Sequence, residues 1–162
     1  MAITRVCFVC LGNICRSPTA EGVFVHLVSE GGHEDAFEID SAGTAAYHAG
    51  ERPDRRSAAT AQARGMPLRG RSRQFRVEDF DRFDHVLAMD CSNRDDLRRL
   101  APDDDARAKI RLLRDFDPES PPESEVPDPY YGGADGFDRV FDICQAASRG
   151  LLDQLLRDSG GR

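Results

Sequence analysis

Several features that define large protein classes are missing from this chain. No apolar run approaches the roughly 18 residues that a membrane-spanning helix needs. The first residues show no charged region followed by a long apolar segment, so we expect no secretory signal peptide. A basic excess is also missing, since the formal net charge is −7, which disfavours general nucleic-acid binding. We expect a cytoplasmic protein with neither a membrane nor a nucleic acid as partner.

Nucleotide and metal signatures are equally scarce. The loops G-x-G-x-x-G and G-x-x-x-x-G-K-[ST] do not occur. The five cysteines are an odd number in a chain of 162 residues, which is typical of reduced thiols rather than of a disulfide framework. Cys7 and Cys10 form a C-x-x-C pair, but no second pair follows, and residues three apart in a strand point to opposite faces. The pair is therefore a weak indication of zinc or thioredoxin-like chemistry.

The sequence does contain an alternation of strands and helices. Strands are predicted over residues 4–9, 37–42, 83–89 and 109–113. Helices are predicted from Pro18 with Ser17 as the cap, near 54–64, from a capping box at Ser92 to Leu100, and along the apolar stripe that starts at Phe137. This interleaving predicts one α/β domain over residues 1–158 with a doubly wound parallel sheet, followed by a frayed tail over 159–162. In such sheets, ligands bind beyond the carboxyl ends of the strands.

The most informative segment leaves the end of the first strand. Cys10 is followed by five residues and then by Arg16, at the junction with the first helix. Successive backbone N–H groups of such a loop can surround an anion, and the helix adds the positive end of its dipole. In that field a thiol ionises readily, so we expect Cys10 to be a nucleophilic thiolate. Arg16 offers a planar fork for two oxygens of a tetrahedral oxyanion.

The remaining loop residues have supporting roles in this interpretation. Gly12 relieves crowding, and Asn13 tolerates a left-handed backbone while its side chain ties the loop together, with Ser41 as a partner. Ser17 can cap the helix and also donate its hydroxyl hydrogen to the sulfur of Cys10.

A proton donor for the leaving group is predicted far along the chain. Residues 115–133 contain five prolines and form a long loop. Within this loop, prolines flank Asp128, and Tyr130 and Tyr131 follow it. Alone, Asp-Pro is only a turn signal, but beside the cysteine loop it indicates an acid on a lid.

The segments from Val9 to Gly22 and from Asp128 to Gly132 together resemble the two signatures of the low-molecular-weight protein tyrosine phosphatases. The resemblance continues in order through four further segments, at residues 39–44, 48–50, 73–74 and 88–90. It implies a four-stranded sheet of order 2-1-3-4 with helices on both faces and the phosphate loop after the first strand.

The resemblance also implies the chemistry and the site residues. Cys10 would attack phosphorus, Arg16 would hold the equatorial oxygens, and Asp128 would act as general acid and then as base, without a metal or a cofactor. Cys15 resembles the family's second cysteine, which forms a reversible disulfide with the nucleophile, although it could merely fill space. The phosphate would contact the loop residues Leu11, Gly12, Asn13, Ile14, Cys15 and Arg16.

The substrate slot would be lined by Tyr47, Tyr130 and Tyr131, which favours an aryl phosphate. Two departures affect this region and the loop support: Tyr47 stands where many relatives carry Trp, and Gly70 stands where some carry His. The implied partner is a phosphotyrosine protein, with a tyrosine kinase as one candidate, and the implied state is a monomer or weak dimer.

Two alternatives remain open from the sequence. A thioredoxin-coupled arsenate reductase would share the fold and the loop, but it needs further cysteines in a relay, and Cys91 has no close downstream partner. A non-catalytic phosphate-binding module would be expected to lack the nucleophile or the acid, and this chain has both.

Overall fold

Four parallel strands form one sheet in the computed structural model, which describes residues 2–129, 133 and 135–160. The strands are β1 (Thr4–Cys10), β2 (Phe37–Gly43), β3 (His85–Ala88) and β4 (Ile110–Leu112). Their order is β2-β1-β3-β4, and each neighbouring pair is parallel. The predicted α/β class, strand order and position of the phosphate loop after the first strand are confirmed.

Helices cover both faces of the sheet. They are α1 (Arg16–Glu30), α2 (Arg55–Ala63), α3 (Asp79–Arg82), α4 (Cys91–Leu100), α5 (Asp104–Ala108) and α6 (Gly136–Gly160). Short 3-10 turns occupy Glu34–Ala36 and Leu113–Phe116. One hydrophobic cluster joins the sheet to α1, α2 and α6, and the second joins it to α3, α4 and α5.

The central strand β1 divides its side chains between these two clusters. Val6, Phe8 and Cys10 belong to the cluster of α1 and α6, whereas Cys7 and Val9 belong to the other. This is the period of two that a strand imposes. Cys7 and Cys10 therefore lie on opposite faces, which confirms that the C-x-x-C spacing brings no pair of thiols together.

Two predicted helix caps are wrong. Helix α1 begins at Arg16 with Cys15 at its N-cap and no side-chain cap, so Ser17 lies inside the helix, where its hydroxyl faces the sulfur of Cys10. Helix α4 is capped by Asp90, which accepts from the N–H of Asn93 at 2.7 Å, rather than by Ser92. Asp90 therefore caps α4 and also accepts from Arg16, whereas the hydroxyl of Ser17 contacts the sulfur and caps no helix.

Smaller differences concern element bounds. Helices α3 and α5 were not predicted because four or five residues are too short for a periodic signal. The third strand begins at His85 rather than at residue 83, because the N–H of Phe83 still caps α3 by donating to the carbonyl of Asp79. Helix α6 continues through Ser159 and Gly160, which were expected in the frayed tail. Within the described chain, no helix combines the length and apolar character needed to cross a membrane.

Candidate active site

The loop from Cys10 to Arg16 surrounds the sulfur of Cys10 with hydrogen-bond donors. Cys10 is only 2% exposed. The backbone N–H of Asn13 points at Sγ with a separation of 3.3 Å, and the Ser17 hydroxyl oxygen lies 3.0 Å from Sγ. Asn13 has φ +57°, the left-handed conformation expected for it. This conformation directs the N–H of Asn13 at the sulfur, and a nest built from the other loop amides stays a prediction.

The Asn13 side chain holds the loop in this shape. Its Nδ2 donates to the hydroxyl oxygens of Ser17 at 2.7 Å and Ser41 at 3.0 Å, while its Oδ1 accepts from the N–H of Arg73 at 3.1 Å. The predicted pairing with Ser41 is confirmed. Because Ser17 accepts from Asn13, its own hydroxyl hydrogen is left for the sulfur of Cys10 at 3.0 Å or for the carbonyl of Ala42 at 3.4 Å, and the sulfur is the nearer of the two. Asn13 therefore supports the loop from behind and does not line the pocket.

A buried carboxyl group lies behind this support. Ser41 donates its hydroxyl hydrogen to Oε1 of Glu21 at 2.6 Å, and Nε of Arg69 lies 3.4 Å from Oε2. Burial raises the pKa of Glu21, although Ser41 and Arg69 act in the opposite direction. Glu21 carries no chemical motif in the sequence, so the sequence analysis missed it.

Arg16 is fixed at the base of the pocket. The residue is 4% exposed, and its Nη1 donates to Oδ2 of Asp90 at 2.5 Å and to the carbonyl of Val126 at 3.2 Å. Burial alone would lower its pKa, but Cys10, Asp90 and Asp128 raise it, so the guanidinium is charged. Asp90 was not singled out from the sequence. Its position just after the carboxyl end of β3, where ligands bind in such sheets, was the signal that could have identified it.

Asp128 reaches the same pocket from the proline-rich loop. Its Oδ2 lies 3.9 Å from Nη2 of Arg16, and its side chain is 35% exposed. The preceding backbone is anchored, since the N–H of Val126 donates to the carbonyl of Met89 at 2.8 Å. Nη1 of Arg114 also donates to the carbonyl of Glu125 at 2.8 Å. The structure thus brings together the three residues to which the sequence assigned the chemistry.

The pocket between these groups has a volume of about 300 Å³. Tyr47 stands at its rim with 74% exposure, whereas Tyr130 and Tyr131 lie outside the described residues. The lining consists of Cys10, Leu11, Gly12, Ile14, Cys15, Arg16, Tyr47, His48 and Asp128. The polar end of the pocket is formed by the phosphate loop together with Arg16 and Asp128, and the apolar side chains line the rest.

His48 is a lining residue that the sequence analysis missed. Its Nδ1 lies 2.7 Å from Oε2 of Glu51. Its ring packs on Gly12 so closely that a Cβ there would lie 2.9 Å from Cδ2. The space that Gly12 leaves is therefore filled by this imidazole. Only the tertiary fold reveals that packing.

The second loop cysteine differs chemically from the first. Burial raises the pKa of Cys15 to about 12, although a hydrogen bond with Ser57 lowers it in part. Cys15 is therefore a neutral thiol near pH 7. Cys10 and Cys15 are both free thiols, so the predicted disulfide between them stays a prediction. Among the residues described, no group of three or more His, Cys, Asp or Glu side chains is arranged to hold a metal ion.

An α/β sheet whose first strand ends in a cysteine-containing anion loop defines the general class of protein. Comparison with known proteins gives the family. Residues 5–160 match the model of the low molecular weight phosphotyrosine protein phosphatases. The chain belongs to this family.

Relatives agree over nearly the full length. A low molecular weight protein-tyrosine-phosphatase of Streptomyces coelicolor is 47% identical over 98% of this chain and 97% of its own. The human low molecular weight phosphotyrosine protein phosphatase is 40% identical over 94% and 96%. A protein tyrosine phosphatase structure from Entamoeba histolytica superposes with a TM-score of 0.91 at 38% identity, covering 96% of this chain and 99% of that one. The chain is a protein-tyrosine phosphatase, and the arsenate reductase and non-catalytic alternatives are set aside.

Proposed function

We propose that Cys10, Arg16 and Asp128 carry out the hydrolysis of phosphotyrosine through a cysteinyl-phosphate intermediate. The observation that carries this proposal is their convergence on one pocket: a sulfur held by Asn13 and Ser17, a charged guanidinium, and a carboxyl group 3.9 Å from it.

In the first step, the Cys10 thiolate forms a bond to phosphorus as the bond from phosphorus to the tyrosyl oxygen breaks. The carboxyl proton of Asp128 passes to that oxygen, so that a neutral phenol leaves. In the second step, Asp128 accepts a proton from water while the water oxygen bonds to phosphorus and the sulfur–phosphorus bond breaks. The products are the phenol, inorganic phosphate and the original enzyme.

Arg16 and the loop amides supply electrostatic stabilisation throughout. The three equatorial oxygens of the transferring group face N–H donors whose positions are set before the substrate binds. Asp90 acts as a positioning residue, because it holds Nη1 and leaves Nη2 on the Asp128 side of the guanidinium. Leu11, Gly12, Ile14 and Cys15 would contribute the loop wall, and Ser17 and Ser41 would support it through Asn13.

The shape of the pocket supports an aryl substrate. Leu11, Ile14 and Tyr47 provide apolar contact for a ring above the polar loop. We infer that phosphotyrosine proteins are the partners, with a tyrosine kinase as one candidate, and that Tyr130 and Tyr131 complete the slot. We infer action as a monomer or weak dimer, because Cys10, Arg16 and Asp128 of the same chain meet in one pocket and need no residue from a second copy. The nucleophilic thiol requires a reducing compartment, which supports the cytoplasm.

Trapping the intermediate tests this mechanism. The enzyme is denatured by acid during turnover of p-nitrophenyl phosphate, and peptides are searched by mass spectrometry for one added phosphoryl group. We expect the group on Cys10 in the native enzyme and in Cys15→Ser, and no labelled peptide or turnover in a folded Cys10→Ser variant. Phosphate on Cys15, or turnover by Cys10→Ser, would refute the assignment.

We also propose that Cys15 protects the nucleophile against peroxide. Hydrogen peroxide would oxidise the Cys10 thiolate to sulfenic acid with release of water, and the Cys15 thiol would then displace a second water to form the disulfide. After a peroxide pulse, dithiothreitol should restore activity to the native enzyme. It should restore little activity to Cys15→Ser, in which the sulfenic acid proceeds to irreversible oxidation.

A further inference from the structure

The positive charge of this acidic protein is concentrated in one segment. Residues 51–76 contain eight arginines against only Glu51 and Asp54, a net charge of +6 in a chain whose net charge is −7. Hydrogen bonds tie this segment to the phosphate loop. The donors are the N–H of Asp54 to the carbonyl of Ile14 at 2.8 Å, the hydroxyl of Ser72 to the carbonyl of Gly12 at 2.9 Å, and the N–H of Arg73 to Oδ1 of Asn13 at 3.1 Å.

Part of this charge is neutralised by carboxylates. Ion pairs join Arg56 to Asp54, Arg64 to Asp138 and Asp142, and Arg73 to Asp40 and Asp79. In the same segment, Arg52 and Arg71 are exposed and have no ion pair with a described carboxylate. Arg69 forms an ion pair with the buried Glu21, with Nε 3.4 Å from Oε2. Arg55 and Arg76 are also exposed and have no ion pair with a described carboxylate; of these four arginines, Arg52 and Arg71 line a common groove.

Arg52, Arg69 and Arg71 line a common groove with a volume of about 300 Å³. We call it the arginine groove; its other lining residues are Pro53, Leu68 and Gly70. Its lining contains no acidic side chain, unlike the groove beside α6, which is lined by Asp117, Glu119, Asp142 and Asp153.

The backbone holds the two sides of the arginine groove together. The N–H of Gly50 donates to the carbonyl of Ser72, and the N–H of Ser72 donates to the carbonyl of Glu51, each at 2.8 Å. Arg52 directly follows Glu51, and Arg71 directly precedes Ser72. These hydrogen bonds therefore fix the backbone next to both arginines. Gly70 has φ +81° with open space where a Cβ would lie, so that no side chain fills the groove there. Planar guanidinium groups in such a concavity suit carboxylate or phosphate oxygens.

Chain length limits how far the arginine groove can lie from the catalytic pocket. Tyr47 at the pocket rim and Arg52 are five residues apart, so their Cα atoms are separated by about 18 Å at most. An extended peptide spans this distance in about five or six residues. An anionic side chain about five or six residues from the phosphotyrosine can therefore reach Arg52 while the phosphate is bound in the phosphate loop.

We propose that the arginine groove binds an anionic side chain of the phosphoprotein substrate, within about six residues of the phosphotyrosine. The group is a carboxylate or a second phosphate, and the arginine groove makes the enzyme selective for acidic phosphotyrosine segments. This inference rests on the phosphatase function proposed above. It adds the class of protein segment that the enzyme prefers.

The test compares kcat/KM for three phosphotyrosine peptides: one with neutral flanks, one with aspartate and glutamate flanks, and one with a second phosphotyrosine. Assays run in the native enzyme, in Arg52→Gln and in Arg52→Gln with Arg71→Gln. The control is Arg98→Gln, an exposed arginine on α4 that gives the same change of net charge. p-Nitrophenyl phosphate, which is too small to reach the arginine groove, reports on the phosphate loop itself.

At low salt we expect kcat/KM for the anionic peptides to fall about three-fold for each arginine removed, the size of an exposed charge pair. The neutral peptide, p-nitrophenyl phosphate and Arg98→Gln should show no such change. At 0.5 M salt the preference for anionic peptides should largely disappear. Comparison of the doubly phosphorylated peptide with the carboxylate peptide shows whether the groove prefers a second phosphate or a carboxylate. A preference for either peptide over the neutral one supports the proposal.

Equal kcat/KM values for all three peptides in the native enzyme would overturn the proposal, as would an equal loss in Arg98→Gln. A loss on p-nitrophenyl phosphate in the double variant would instead assign Arg71 to loop support through its hydrogen bond to the carbonyl of Gly50, and would also count against the proposal. None of these results affects the phosphatase mechanism. That mechanism fails only if the native enzyme hydrolyses none of the substrates.

Discussion

The two loops that meet at the pocket are built in opposite ways. The phosphate loop is enclosed, with Cys10, Asn13, Cys15 and Arg16 all buried and their polar atoms joined to neighbouring elements. The acid loop, residues 117–129, is largely exposed and contains five prolines. Hydrogen bonds made by Glu125 and Val126 anchor it, three and two residues before Asp128.

This difference follows from what each loop has to do. Stabilising charge on the phosphoryl oxygens requires donors whose positions are set in advance, because reorganisation during the reaction would add to the barrier. Asp128 instead exchanges protons with the leaving group and with water, so it needs access to solvent. Preorganisation accounts for the dense network behind Cys10, and proton exchange accounts for the exposure of Asp128.

Arg16→Lys should give the largest effect among the substitutions that keep the nucleophile. A lysine keeps a positive charge but loses the planar fork and the simultaneous contacts to Asp90 and Val126. We expect kcat to fall about 10³-fold, the upper range for loss of one oxyanion donor. Steady-state kinetics measures this, with circular dichroism to confirm the fold. A decrease below about ten-fold would show that the loop amides suffice without the guanidinium.

Asp128→Asn should remove the proton donor of the acid loop and leave the phosphate loop unchanged. An amide cannot protonate the departing oxygen, so for phenyl phosphate kcat should fall by about 10²-fold or more. For p-nitrophenyl phosphate, whose leaving group needs less protonation, the fall should be clearly smaller. The matched control is Glu125→Gln on the same loop, which should change both rates little. Equal losses on both esters would remove Asp128 from the acid role.

Much of the phosphate loop could be predicted from the sequence because its information is local. The spacing of Cys10 and Arg16, the left-handed Asn13 and the strand before them all lie within one segment, and the structure brings them together as expected. The distant Asp128 was a candidate acid from its proline-flanked loop, and the family resemblance supported that role and supplied the strand order.

The positioning groups could not be predicted, because their roles exist only after distant segments meet. Asp90 and Glu21 are ordinary acidic residues in the sequence, and His48 touches Gly12 only through the folded loop. The cap predicted at Ser17 was wrong for the same reason. Local propensity identifies a serine suited to a helix end, but the sulfur of Cys10 and the amide of Asn13 determine where its hydroxyl goes.

Asn13→Ala tests how far the enclosed loop depends on one side chain. The substitution leaves the N–H of Arg73 without its acceptor and removes a donor from Ser17 and from Ser41. Loss of buried partners costs about 1–3 kcal/mol of unfolding free energy, and we expect kcat to fall about ten-fold as the loop loosens. Urea denaturation and steady-state kinetics measure the two effects. Ser41→Ala removes one of these contacts and also the hydroxyl that donates to Glu21, so it should lower the unfolding free energy as well, but kcat should fall less because Asn13 keeps its contacts with Ser17 and Arg73.

Glu21→Gln should give the smallest effect, and one that depends on pH. Because burial raises the pKa of Glu21 in the folded protein, the folded state binds its proton more tightly than the unfolded state does. That contribution to stability is complete below the unfolded pKa of about 4.5 and is lost as pH rises through the folded pKa. Glutamine cannot ionise but still accepts from Ser41. The free energy of unfolding of Glu21→Gln relative to native should therefore increase from pH 4.5 to pH 7, as urea denaturation at the two pH values would show. A difference that stays constant or decreases would mean that Arg69 compensates the carboxylate fully, and that the phosphate loop is supported by an ion pair rather than by a carboxyl group that is costly to ionise.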